Sequence, residues 1–382
     1  MKVIKSLSEL FDKKYNTIAC DIYGVLHDGH ESYPYTVQTL DQLQKANQKV
    51  VLLSNSSRMY PALSQHLDDK FNISSNTYDD ILSSGKLTRL FLEDCQAHLN
   101  TLDGTSTTRP SEPPVASCHA SLCSISEKDQ QRTSRRITGM EFCNTHHFQP
   151  LNNKKIRFFM AGDVNYLLPL YHDLSHFEPT EDCWQDIDFV LLGTVKRLYG
   201  DIDVDPFDET SVKNHYTPFL QACLARHVPV ICANPDVVAP AGVNPEDGSQ
   251  RLLICPGYIG ELYEKLGGQV LYFGKPFNSI YDYLVDTTAS GQEQQDQCQA
   301  PAAERQILCV GDNVATDVLG ANDAGLDVVL ILGGVHATTF PSFTNLESDE
   351  NLQQRILTQV RDLCREAGTG EPTYVMPYLR YD

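Results

Sequence analysis

The sequence predicts a doubly wound α/β fold, and three observations carry that prediction. Short apolar runs recur along the chain, helical patterns separate them, and chemistry-bearing polar residues close several of them. The runs span 17–21, 50–54, 156–161, 189–193, 228–233, 270–274, 307–311 and 328–332. They are apolar throughout rather than alternating, as in strands buried on both faces of a parallel sheet. Between them, segments such as 36–46 place Val37, Leu40 and Leu43 at helical spacing. Strand and helix in alternation make a parallel sheet covered on both faces. Such sheets take their ligands at the carboxyl ends of the strands.

At 382 residues the chain is long enough for two or three compact units, and 41% hydrophobic residues supply a sizeable core. A formal net charge of −20 excludes nucleic acid and anionic membranes as partners, since both would be repelled. The first eleven residues lack the apolar stretch of a signal peptide and read as a short amphipathic helix with Ile4, Leu7, Leu10 and Phe11 on one side. No apolar stretch reaches membrane-spanning length, so a cytoplasmic protein is expected. Cys20, Cys232 and Cys309 lie inside apolar runs, where a thiol acts as a small hydrophobe. Two stretches break the rhythm. Residues 100–153 are rich in Ser, Thr, Pro, Gln and Cys, and residues 287–304 in Gln, Ala and Gly; both are expected to be disordered insertions.

Four motifs carry chemistry, each at the end of a predicted strand. The first is Thr17-Ile-Ala-Cys-Asp21-Ile-Tyr23-Gly24, a strand that delivers a carboxylate to the sheet edge ahead of a glycine turn. In the second, Ser54-Asn55-Ser56-Ser57-Arg58, a hydroxyl and an amide precede a helix start, as in anion sites. Gly274-Lys275-Pro276 is the third and holds a lysine at the same edge. The fourth, Gly311-Asp312-Asn313 with Asp317 five residues beyond Asp312, adds two carboxylates near a helix start. With Asp21 these make an oxygen-only set suited to magnesium. Each motif alone has a plainer explanation: a turn-opening Asp, a helix cap, a solvated lysine, capping acids. Their common order and placement favour function. Asn234-Pro235-Asp236 follows another strand and either faces substrate or simply forms a turn.

On these motifs the chain resembles the haloacid dehalogenase superfamily, and in particular its class IIA, the nitrophenylphosphatase-like enzymes. Ile81-Leu-Ser-Ser-Gly85, Cys232-Ala-Asn234-Pro235-Asp236 and the stretch from Ala324 to His336 extend the resemblance. The resemblance implies a Rossmann-like core, residues 1–84 and 240–382, with an αβ cap inserted over 85–239. It implies a magnesium-dependent phosphatase of a small phosphorylated metabolite. Asp21 would be the nucleophile; Asp21, the Tyr23 carbonyl, Asp312 and Asp317 would serve the metal. Ser54 and Asn55 would bind the transferring group, Lys275 would stabilise it, and Asn234 and Asp236 would meet substrate. A homo-oligomer is compatible with the family.

Tyr23 departs from the pattern. The family phosphatases carry an Asp there as general acid and base, and a phenol with an ordinary pKa near 10 is a poor replacement. His27 and Asp28 are the nearby groups that could substitute. Two alternatives follow: a fold and metal site kept for binding or regulation without turnover, and a metal-independent dehalogenase.

Overall fold

In the computed structural model the chain is described at residues 1–10, 15–104, 118–125, 132–149, 155–180, 184–198, 203–244, 248, 250–289, 306–340, 343, 346 and 349–381. Sixteen strands are defined there. They are β1 (Lys2–Val3), β2 (Thr17–Asp21), β3 (Lys49–Ser54), β4 (Asp80–Ser83), β5 (Ala120–Ile125), β6 (Arg132–Ile137), β7 (Ile156–Ala161) and β8 (Phe177–Thr180). Then come β9 (Phe189–Leu192), β10 (Val230–Cys232), β11 (Val238–Val243), β12 (Gln250–Ile254), β13 (Val270–Tyr272), β14 (Ile307–Gly311), β15 (Asp327–Ile331) and β16 (Tyr374–Met376).

Two seven-stranded sheets organise the molecule. The first runs β1-β16-β15-β14-β2-β3-β4 and is parallel throughout. Its central strands β2 and β14 are buried at every residue, which is why their sequences do not alternate. Val50, Leu52, Ile18 and Leu308 pack on one side with Leu40, Leu43, Leu63 and Leu67 of the helices Thr36–Lys45 and Tyr60–Phe71. Val51, Leu53, Ala19 and Cys309 face the opposite cluster, with Ile280, Leu284, Ile356 and Val360. The doubly wound α/β fold is therefore present.

The second sheet runs β6-β5-β13-β10-β9-β7-β8; its β10, β9, β7 and β8 pair in parallel, while β5 and β6 are antiparallel additions. It forms the cap. Two features differ from expectation. Strand β13 belongs to this sheet rather than to the core, because Val270–Tyr272 pairs with β10 on one side and β5 on the other. The cap thus extends past 239 into the segment assigned to the core. Within 100–153, residues 120–125 and 132–137 form a hairpin and 139–145 a helix with a Thr138/Glu141 capping box. The buried side chains of Ala120, Leu122, Phe142 and Cys143 supply the apolar contacts that disorder would lack. Residues 105–117, 126–131 and 150–153 of that stretch, and 290–304 of the second, lie outside the described residues; 287–289 close the helix Asn278–Ala289.

The helix Ser84–Leu102 leaves β4 and carries the chain into the cap, capped at its start by the Ser83 hydroxyl, which accepts from the Lys86 amide. A small hairpin of β11 and β12 stands apart from both sheets. Trp184 packs edge-on to Phe219 within the cap. Among the described residues no helix is long and apolar enough to cross a membrane.

Candidate active site

Parallel pairing of β3, β2 and β14 brings their carboxyl ends to one edge, so Ser54, Asp21 and Asp312 meet there. The chain leaves β2 through Gly24 at φ +83°, a conformation that a side chain would strain. A Cβ at Gly24 would also lie 1.9 Å from Asp312 Oδ2. The missing side chain is what lets the first turn lie against the second carboxylate. After β14, Asn313 caps a single π-helical turn, Val314–Val318, its Oδ1 accepting from the Ala315 amide at 2.9 Å. That turn swings Asp317 back beneath the strand end, where its Oδ2 accepts from the Asn313 amide at 3.1 Å.

Lys275 arrives from the cap sheet through Gly274, at φ +92°, where a Cβ would strike Asn55 and Ser84. The Asn55 side chain fastens this turn. Its Oδ1 accepts from the Lys275 amide at 2.8 Å, and its Nδ2 donates to the Lys275 carbonyl at 2.9 Å and to Asp236 Oδ1 at 2.7 Å. Ser84 Oγ adds a bond to the Phe273 carbonyl at 2.9 Å. Lys275 Nζ then lies 2.5 Å from Asp21 Oδ1 and 2.8 Å from Asp317 Oδ1.

Asp21, Asp312 and Asp317 each offer a carboxylate oxygen within 4.8 Å of the others, and all three are buried. Among the described residues no other group of His, Cys, Asp and Glu is arranged this way. The electrostatics follow from the count: three buried carboxylates face one ammonium. Burial and the Asp317 charge push Asp21 up to about 7 against the opposing pull of Lys275. Asp312 is held well above the ordinary carboxylate range by burial and then by Asp21 and Asp317. Burial works to lower Lys275, but Asp21 and Asp317 more than reverse this and hold it protonated. An oxygen-only acidic cluster with surplus negative charge fits a hard divalent cation, which would relieve the repulsion.

The groups considered for proton transfer are otherwise engaged. Tyr23 donates its hydroxyl to the Asp28 carbonyl at 3.0 Å, and burial, with Asp28 nearby, pushes the phenol up to about 12. His27 is stacked on Phe71, ring centroids 3.8 Å apart, and its Nδ1 accepts from the Gly29 amide. Burial, then His66, takes that imidazole down to about 3. Asp28 Oδ1 accepts from the His30 and Glu31 amides in its own turn.

A cleft of about 300 Å³ opens over the cluster between the two sheets. Asp21, Tyr23, Ser54, Asn55, Lys275 and Asp312 line its core side, and Asn234 and Asp236 reach it from the cap. Asp317 lies beneath, touching Lys275. All nine residues singled out in the sequence therefore converge on one place. The side chain of Asn55 serves there as a clasp between core and cap. Sequence reading missed Tyr166 and Thr194, cap residues that also line the cleft, and the Val335 amide, which donates to Asp312 Oδ2 at 2.6 Å. It gave no role to Arg58, which lines the cleft as well.

Two family models match the chain, "haloacid dehalogenase-like hydrolase" over residues 18–102 and "HAD-hydrolase-like" over 272–363. Together they contain every motif residue on β2, β3 and β14, and Lys275. Both models describe haloacid dehalogenase-like hydrolases, and they match the chain on either side of the inserted sheet. The inserted second sheet is consistent with the αβ cap that the class IIA resemblance leads one to expect. Among solved structures, a haloacid dehalogenase-like family hydrolase from Brucella suis 1330 is 24% identical, with a TM-score of 0.62 over 99% of this chain and 100% of its own. A protein described as a "possible sugar phosphatase" of the superfamily from Cytophaga hutchinsonii ATCC 33406 is 20% identical, with a TM-score of 0.59 over 98% of each chain. Both likenesses concern the fold. No curated protein is significantly similar to this chain.

Proposed function

We propose that this chain is a phosphatase of small phosphorylated metabolites that works through an aspartyl-phosphate on Asp21 and depends on magnesium. The observation that carries the reading is the Asp21 carboxylate, presented at the end of β2 beside Lys275 and within 4.8 Å of Asp312 and Asp317. Asp21, Asp312, Asp317 and the Tyr23 carbonyl would hold the cation. Bound there, magnesium offsets the charge of the phosphoryl oxygens. The Asp21 carboxylate attacks phosphorus and the ester P–O bond breaks; water then cleaves the acyl-phosphate, freeing phosphate and restoring Asp21. Lys275 supplies fixed positive charge beside the transferring group. The Ser54 hydroxyl, whose oxygen accepts from the Ser56 amide at 3.2 Å, keeps its proton to donate to a phosphoryl oxygen.

With Tyr23 fixed on Asp28, proton transfer to the leaving alcohol falls to water. Positioned general acid–base catalysis is worth roughly 10²–10⁴-fold, so turnover is slow. The same observation favours a second reading, a binding or regulatory protein that keeps the metal site without turnover. A metal-independent dehalogenase is the weaker third reading, because the acidic cluster has no use in it. Phosphate release from a metabolite panel, with and without magnesium, separates these. Magnesium-dependent release that Asp21→Asn reduces to background is expected. Magnesium binding with no release from any panel member would replace the phosphatase with the binding protein, and halide release without metal would select the dehalogenase.

A further inference from the structure

Two cations line the cleft, Lys275 and Arg58. Lys275 is committed to Asp21 and Asp317. Arg58 forms no ion pair among the described residues; its guanidinium is held instead by the cap. Nη2 donates to the Tyr166 hydroxyl at 2.7 Å, and the guanidinium carbon lies 4.4 Å from the centre of the Tyr166 ring. Tyr166 sits on the cap helix Val164–Tyr171 and lines the cleft with Arg58, so the contact joins core to cap. It uses one N–H of five and leaves others to donate. The Arg58 backbone is fixed as well: its amide donates to Ser56 Oγ at 3.2 Å and its carbonyl accepts from Ser83 Oγ at 2.7 Å.

A half-buried guanidinium, braced on an aromatic face and short of a carboxylate, suits paired recognition of a planar or tetrahedral anion. The phosphoryl group belongs against Asp21 and Lys275, and the Arg58 guanidinium bonds Tyr166 rather than either of them, so the anion met by Arg58 is a different one. We propose that Arg58, positioned by Tyr166, selects phosphate monoesters that carry a second anionic group, a carboxylate or a second phosphate, a short chain away from the ester. The choice of substrate class rests on the phosphatase reading; the anion site itself does not.

Matched substrates test it. 3-Phosphoglycerate and glycerol 3-phosphate differ in a carboxylate against a hydroxymethyl group and share the kind of leaving alcohol. Fructose 1,6-bisphosphate against fructose 6-phosphate provides the second-phosphate arm. The wild type is expected to favour the doubly anionic member of at least one pair by tenfold or more in kcat/KM, and the pair showing it names the anion. Arg58→Ala and the milder Arg58→Gln should shrink that ratio roughly 10–100-fold, the range of a charge-assisted hydrogen bond. Tyr166→Phe should shrink it less. Equal kcat/KM within both pairs in the wild type, or Arg58 variants that depress both members alike, would overturn the proposal and leave Arg58 as a core–cap latch. Calorimetric titration of 3-phosphoglycerate, glycerol 3-phosphate and the two fructose phosphates into Asp21→Asn protein, in magnesium buffer, needs no turnover. Tighter binding of a doubly anionic member that Arg58→Gln abolishes would support the anion site even if no phosphate were released. Equal binding within both pairs would reject the site whatever the enzyme assay shows.

Discussion

Among the described residues, two groups of charges gather around buried carboxylates, and they are built on opposite principles. In the cap, Arg132 of β6 grips Glu264 with two nitrogens, at 3.2 Å and 3.0 Å, while the Tyr272 hydroxyl donates to the same carboxylate at 3.3 Å. Charges match one to one and the carboxylate is satisfied. At the core edge, Asp21, Asp312 and Asp317 share the single ammonium of Lys275. A balanced pair holds the added β5–β6 hairpin to the helix Pro256–Lys265. An unbalanced cluster costs stability unless a ligand completes it, and such mismatch is the physical mark of a site.

Enlarging the imbalance should give the largest effect. Tyr23→Asp places a further carboxylate at the end of β2, where proton transfer is wanted. Phosphate release should rise by roughly 10²–10⁴-fold if only the acid/base is missing. Steady-state kinetics with magnesium would measure it. No gain, with circular dichroism and magnesium affinity unchanged, would remove slow proton transfer as the explanation for Tyr23.

Disturbing the balanced pair should act on stability instead. Glu264 is 2% exposed, and Glu264→Ala leaves Arg132 and the Tyr272 hydroxyl without it. A wholly buried pair costs about 3–5 kcal/mol when one partner is removed; because the Arg132 side chain is 41% exposed and can hydrate, roughly 2–3 kcal/mol is expected here. Urea unfolding would show a lower midpoint. An unchanged midpoint would mean that backbone pairing and the apolar contacts of Ala120, Leu122 and Ile137 hold the hairpin without the ion pair.

The two groups also differ in how far the sequence revealed them. The site was legible because its side chains close fully buried parallel strands, and an apolar run ending in Asp or Ser places that residue at the sheet edge whatever the rest of the chain does. Strands 17–21, 156–161 and 307–311 coincide with their apolar runs. The cap pair was not legible. In β6, Arg-Thr-Ser-Arg-Arg-Ile, only Ile137 is buried, so nothing apolar announces a strand; β6 forms because β5 offers it an edge. Asn55 reads locally as a helix cap, yet its partners lie 181 and 220 residues away. Arg58 and Tyr166 likewise meet across 108 residues. Motif position survives in one dimension; a clasp between two domains does not.

The smallest effect tests the distinction most directly, because it asks whether deleting a buried charge can help. Asp312 is pressed by burial and by Asp21 and Asp317, while its Oδ2 accepts from the Val335 amide. Asp312→Asn removes the charge and keeps a carbonyl oxygen for that amide. In magnesium-free buffer the variant should therefore melt slightly above the wild type, by about 1 kcal/mol of stability or ~2–4 °C. Added magnesium should raise the wild-type melting temperature by binding the folded state alone, and should leave the variant unmoved. Calorimetry with and without the metal gives both comparisons. If Asp312→Asn instead melts lower in the absence of metal, as Glu264→Ala is expected to, the core cluster is a balanced network of the same kind as Arg132 and Glu264. Its surplus charge would then be no sign of a cation.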